Sequence, residues 1–174
     1  MEYLVLTKGV ADSVIVAVDE DDSCFRLDYH PGWAQSGCLE NADLTLQKGL
    51  EKRSLKLRSD GLGHWKHADG QPIPELEGCI DIDIWPTPFT NSLPLWRTPM
   101  NIGERKEFRM AWVNGCELAF EAKSQAYSRL GERHYVFESL DGSHFQADLH
   151  LDKNGLVIDY PELFERIECG VKPS

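Results

Sequence analysis

Five Asx-Gly dipeptides punctuate this chain: Asp60-Gly61, Asp69-Gly70, Asn114-Gly115, Asp141-Gly142 and Asn154-Gly155. Each joins a side chain that can bond its own backbone to a residue that takes positive φ without strain, which is the chemistry of tight turns. Between them lie short alternating segments and no long amphipathic stretch. Such a chain makes hairpins, and repeated hairpins make an all-β protein. Asn114-Gly115 is the clearest turn, set between Phe108-Arg109-Met110-Ala111-Trp112-Val113 and Cys116-Glu117-Leu118-Ala119-Phe120-Glu121. Asp141-Gly142 likewise joins Tyr135-Val136-Phe137 to Phe145-Gln146-Ala147-Asp148-Leu149.

The centre of the chain is Leu57 to Arg97. Within it, Cys79-Ile80-Asp81-Ile82-Asp83-Ile84 alternates strictly. In a strand the three isoleucines share one face and Cys79, Asp81 and Asp83 the other. The isoleucine face predicts a buried surface, joined by Leu118 and Phe120 from the hairpin. The carboxylate face must meet water, a cation or a ligand. Trp85-Pro86-Thr87-Pro88 then stops the strand, because proline supplies no ladder donor. Asn91 to Pro94 is expected to turn the chain, and Leu95-Trp96-Arg97 to begin another extended piece.

Tyr3–Thr7 and Ser13–Val18 read as strands rich in β-branched and aromatic residues. Cys24–His30 alternates, with Phe25, Leu27 and Tyr29 on one face, and Pro31-Gly32 is expected to break it. Cys38–Leu46 is compatible with helix or strand. Leu55 and Leu57 predict an inward face for the next strand. At the end of the chain, Pro161 suits a first helical position, and Leu163, Phe164 and Ile167 have helical spacing, so a short C-terminal helix is expected there. A sheet this long must curl to bury one face and manage its edges.

Several motifs carry a family resemblance. Ser59-Asp60-Gly61, Gly63-x-Trp65, Leu76-x-Gly78-Cys79-x-Asp81-x-Asp83, Thr87-x-Phe89-Thr90-Asn91-x-Leu93-Pro94 and Arg97 occur in order, followed by Gln125-x-Tyr127-x-Arg129, Gly155-Leu156-Val157-x-Asp159-Tyr160-Pro161 and Leu163-Phe164-x-Arg166. This pattern resembles the bacterial family known as putative glycolipid-binding proteins, over most of the chain. The resemblance implies one antiparallel domain over residues 1–174, a spiral β-roll or half-barrel like those of lipid carriers. It favours strand for Cys38–Leu46. It also implies a concave face that holds a glycolipid-like ligand.

Composition excludes other classes. The formal net charge of −11 is wrong for a nucleic-acid footprint and for polybasic docking on anionic lipid. No apolar run reaches membrane-spanning length, so no stable membrane insertion is expected. Met1 to Val18 does not read as an export signal, since Glu2 stands where a basic region belongs and Lys8 and Asp12 interrupt the apolar residues; a cytoplasmic location follows. The five cysteines, Cys24, Cys38, Cys79, Cys116 and Cys169, show no C-x-x-C spacing and are expected to be buried free thiols. His64-x-x-His67 lacks further ligands at fixed spacing, so no metal is expected, and nothing calls for a cofactor. The G-x-S-x-G elbow, the P-loop and the dinucleotide-binding glycine fingerprint are all missing.

The candidate ligand-binding residues are Asp81, Asp83, Arg97, Gln125, Tyr127, Arg129, Trp65 and Trp85. Asp81 and Asp83 are expected to line the concavity and pair with Arg97 or Arg129. Gln125, Tyr127 and Arg129 share a strand face whose amide, phenol and guanidinium suit a hydroxyl-rich or anionic head group. Trp65 and Trp85 flank the central stretch and could cover an acyl chain or a sugar ring. Trp112 alternates with Phe108 and Met110 and is expected in the core. The function expected is non-enzymatic binding of an amphipathic small molecule, its tail in an apolar groove and its head group held by polar residues at the rim. The alternatives are a small hydrolase or lyase using Asp81 and Asp83 with Arg129, or a protein-interaction or self-association module.

Overall fold

The computed structural model describes residues 1–19, 21–161 and 163–167. They form two sheets, each following the order of the chain. The first contains β1 (Glu2–Thr7), β2 (Val10–Val18), β3 (Cys24–Trp33), β4 (Leu39–Lys48), β5 (Glu51–Ser59) and β6 (Trp65–His67). The second contains β7 (Asp81–Trp85), β8 (Arg105–Asn114), β9 (Ala119–Arg129), β10 (His134–Ser139), β11 (Gln146–Leu151), β12 (Val157–Tyr160) and β13 (Phe164–Glu165). This seven-stranded sheet curls into a half-barrel. Its two ends meet through side chains: the rings of Trp85 on β7 and Phe164 on β13 pack edge to face, 6.0 Å between centroids.

Period-two alternation sorts the side chains as the sequence predicts. On β3, Phe25, Leu27 and Tyr29 are buried. On β7, Ile82 and Ile84 are buried and join Leu27, Leu44 and Leu46 in a core between the two sheets. A second core, containing Tyr127, Tyr135, Phe137, Leu149 and Tyr160, lies on the inner face of the half-barrel. Ile80 precedes β7 and is only half-buried, as are Leu118 and Phe120 at the rim of the first core.

Several expectations are corrected. Asn114-Gly115 does not form a two-residue turn. Asn114 pairs with Ala119 in the ladder, and a four-residue loop intervenes in which Leu118 takes φ 58° and donates its N–H to the Asn114 carbonyl at 2.7 Å. Gly115 is needed for close approach: its N–H donates to the Trp85 carbonyl at 2.7 Å, and a Cβ would collide with that oxygen and with Leu27. Pro31 and Gly32 stay inside β3, which shifts register only at Gly32/Trp33.

The short helix is also elsewhere. Among the described residues the α-helix is α1 (Ser92–Arg97), where a turn and an extended piece were expected. Pro94 fits its first turn, where a backbone N–H would have no intrahelical partner anyway. Pro161 and Leu163 instead lie in a turn, and Phe164–Glu165 pairs with β12, Tyr160 opposite Phe164. Glu162 is outside the described residues. The chain between β7 and β8, which carries a 3-10 turn (Phe89–Asn91) and α1, returns β8 parallel to β7; the other neighbours in both sheets are antiparallel.

Candidate functional site

The outer-to-inner alternation of β7 puts Ile82 and Ile84 toward the first sheet, and therefore Asp81 and Asp83 toward the inside of the half-barrel. Both carboxyls are met by protein. Asp81 is 1% exposed and accepts from Arg97 through Nη2 at 2.5 Å and Nε at 3.2 Å, so that α1 is clamped to β7. Burial opposes the charge on Arg97, but the Asp81 carboxylate outweighs it and raises the guanidinium pKa. Asp83 has amide and hydroxyl partners. Gln125 Nε2 donates to its Oδ2 at 2.6 Å, and Thr90 Oγ1 donates to its Oδ1 at 3.1 Å. Burial pushes the Asp83 carboxyl above its ordinary range, against the pull of those two bonds and the more distant Lys123 ammonium.

A polar network extends from Asp83. The Tyr127 hydroxyl, fully buried, donates to Asn91 Oδ1 at 2.8 Å and lies 3.1 Å from Gln125 Oε1. Burial drives its pKa well up, and the nearby Asp83 carboxylate adds to the shift. Thr87 Oγ1 lies 2.9 Å from Glu2 Oε2 and 3.1 Å from the Tyr29 hydroxyl, which itself bonds Glu2. The segment after β7 is thereby tied to the first sheet.

Above this network lies a cavity of about 300 Å³. Asp83, Gln125, Thr87 and Asn91 contribute polar groups to it, and Phe137, Tyr160, Phe164 and Trp85 its aromatic wall. The rings touch one another: Phe137 and Tyr160 lie 6.3 Å apart, Tyr160 and Phe164 6.0 Å. Phe145, Leu163, Asp141 and Ser143 stand at the outside. Lys123 also lines the cavity, its ammonium 3.6 Å from the centre of the Trp112 ring and 3.5 Å from the Glu121 carboxylate.

The expected site residues are thus divided. Asp83, Gln125 and Trp85 line the cavity. Asp81, Arg97 and Tyr127 lie in the supporting structure around it. Trp65 is not at this site: β6 belongs to the other sheet, where the indole is buried and donates to the Cys79 carbonyl at 2.7 Å. Arg129 sits at the far end of β9. It donates to the carbonyls of Gly131, Glu132 and Met100 and borders a separate cavity of about 270 Å³ with Arg133, Lys153 and Trp96. Trp112, expected in the core, lines the cavity. The polar residues are not at a rim, since Asp81, Gln125 and Tyr127 are buried.

Sequence reasoning missed Thr87, Asn91, Lys123, Phe137 and Phe164 as site residues. Thr87 and Asn91 stand in the family-like motif, which was their signal. Phe164 stands in a family-like motif as well, whereas Phe137 comes from a distant strand and had no signal. Of the thiols, Cys79 and Cys116 are buried, and burial pushes each up to about 11. Cys24 is exposed and Cys38 half-buried, contrary to expectation, and Cys169 is outside the described residues. His64 bonds Asp60 at 2.6 Å, while His67 packs on Phe120.

The fold and the cavity together define a β half-barrel with a polar-floored, aromatic-walled pocket on its inner face. The chain belongs to the family described as putative glycolipid-binding, whose pattern matches residues 4–166. It is also similar to a solved structure, the crystal structure of a DUF1089 family protein from Pseudomonas aeruginosa. The two are 41% identical and superpose with a TM-score of 0.94 over 96% of this chain and 91% of that one. No curated protein matches the chain. Among the described residues no helix is long and apolar enough to cross a membrane.

Proposed function

We propose that this chain binds an amphipathic small molecule, glycolipid-like in chemistry, and holds it without transforming it, in the cavity under β10 to β13. The observation that carries this reading is the pairing within one pocket of an aromatic wall with fixed polar groups on Asp83 and Gln125. Aromatic faces stack on sugar rings and cover alkyl chains. Removing apolar surface from water stabilises a complex by about 25 cal/mol per Å². Membership of a family described as putative glycolipid-binding supports the same class of ligand. In this reading residues 1–174 act as one binding unit in the cytoplasm, and the first sheet is its support.

A second reading, a hydrolase or lyase, draws on the raised pKa of Asp83 inside a pocket. Asp81 supports it less, because Arg97 already occupies that carboxylate.

Trp85 and Trp112 line the cavity and report on it directly. Titration with monomeric octyl glucoside is expected to shift the tryptophan emission saturably, and native mass spectrometry to show one bound molecule. Ser139→Phe, which projects a ring beside Gln125 on the neighbouring strand, is expected to abolish both signals. Binding by the plugged variant equal to that of the natural chain would place the ligand elsewhere. Release of glucose or octanol during the titration would favour the enzyme.

A further inference from the structure

The cavity is polar at its buried end, and at its mouth exposed aromatic and aliphatic side chains stand beside Asp141 and Ser143. Gln125, Thr87 and Asn91 are all buried, and Asp83 lies beside them. At the opening, Trp85, Phe145 and Leu163 are 40%, 41% and 38% exposed. A soluble protein gains nothing from this inverted arrangement, since it leaves apolar surface in water and buries groups that water would solvate. The arrangement does match a guest whose polar end enters first.

From this we infer that the ligand binds head-first: an uncharged, hydroxyl-bearing head group about the size of one sugar ring sits on Asp83 and Gln125, and the alkyl tail leaves across Trp85, Phe145 and Leu163. The inference rests on the cavity being the binding site. Three observations set the head-group class. A volume of about 300 Å³ is at the lower end for ligand pockets, too little for a head group together with two acyl chains. The Asp83 oxygens each take one donor, from Gln125 and Thr90, so each keeps accepting capacity for a ligand hydroxyl. The charged groups lining the cavity are Asp83, Asp141 and Lys123, two acids against one base, and Lys123 is already engaged with Trp112 and Glu121. Asp141 accepts from the Ser143 N–H at 2.9 Å and stands ionised at the mouth. A phosphate, sulfate or carboxylate head group would meet both acids. An ammonium would meet the same two acids, but with the Lys123 ammonium beside it to oppose it.

The test uses the full chain and monomeric probes with one chain length: octyl glucoside, octyl phosphate and octyltrimethylammonium, with methyl glucoside as a tail-less competitor. Calorimetry and tryptophan emission give the affinities. The expected result is that octyl glucoside binds at least about tenfold more tightly than either charged probe, a difference of roughly 1.4 kcal/mol, and that methyl glucoside displaces it. Leu163→Ala and Phe145→Ala, both at exposed positions, are expected to weaken octyl glucoside and to leave methyl glucoside unchanged. Asp83→Asn is expected to narrow the gap between glucoside and phosphate. Octyl phosphate or octyltrimethylammonium binding as tightly as the glucoside overturns the head-group class. Failure of methyl glucoside to compete, with octyl glucoside still bound, overturns the orientation and means the tail enters first. Failure of every octyl probe to bind sinks the binding reading itself, which none of the other outcomes does.

Discussion

The two sheets are built alike and buried differently. Each follows the order of the chain, by hairpins except at the parallel β7–β8 pair, and each presents one face inward. The inner face of the first sheet is almost entirely aliphatic and aromatic, and its one buried phenol, Tyr29, is spent on Glu2 and Thr87. The inner face of the second carries two carboxyls, an amide and the phenols of Tyr127, Tyr135 and Tyr160 among its aromatic rings. Burying such groups is costly unless every one is bonded, and an apolar face would be at least as stable. The half-barrel carries the larger share of buried polar groups, and Asp83 and Gln125 among them line the cavity.

The contrast can be broken most sharply at Arg97. Arg97→Ala leaves the Asp81 carboxyl buried without its cation, and the expected loss is about 3–5 kcal/mol in chemical denaturation. A loss near zero would mean that Asp81 is solvated and that the inner face is far less enclosed than described. Next comes the dry side. Leu27→Ala is expected to cost about 2–4 kcal/mol through lost burial and a residual cavity between the sheets. Its effect on octyl glucoside affinity should be slight, because Leu27 does not line the cavity. A large loss of affinity at retained fold would show that the first sheet is more than a support.

The smallest effect is expected at Asp83, and it sharpens the comparison through its sign. Burial raises the folded-state pKa above the unfolded value, so ionising this group works against folding. That cost is absent at pH well below about 4, where folded and unfolded chains both hold the proton, and it grows as pH rises toward the folded-state value. Asp83→Asn removes the titration. The stability of the variant relative to the natural chain should therefore increase from acid to neutral pH, read from melting temperatures across that range. A relative stability that falls with rising pH would show Asp83 to be a stabilising carboxylate.

Much of this was legible in the chain. The alternation of Ile82 and Ile84 with Asp81 and Asp83 fixes which side is core and which side must find partners, and β7 obeys it. Gln125 and Tyr127 follow by the same period. Arg129 keeps to that face too, over the Tyr135 ring, but it stands where the strand ends and its long side chain reaches loop carbonyls beside a separate cavity. Trp65 was misplaced because nearness in sequence to Asp83 is not nearness in space when a sheet boundary intervenes. The spacing of Leu163, Phe164 and Ile167 reads as helical, yet pairing with β12 sets Phe164 against Tyr160. The aromatic wall was legible only in part: Trp85 flanks the central stretch, Tyr160 and Phe164 stand in the family-like motifs, and Phe137 had no local signal. The wall exists because curvature brings Phe137, Tyr160 and Phe164 together over Asp83, and curvature is a property of the whole sheet.

The edge-to-face contact of Trp85 with Phe164 has a consequence for the order in which the molecule assembles. It joins the first and last strands of the half-barrel, so the chain must close a very long loop before this contact can form. Hairpins such as β8–β9 need only short loops and can form early. The pocket is therefore expected to form after those hairpins and to open before them. Hydrogen exchange should show the amides of β12 and β13 losing protection ahead of those in β8 and β9. A guest seated beneath those last strands would then slow the opening of the wall that encloses it.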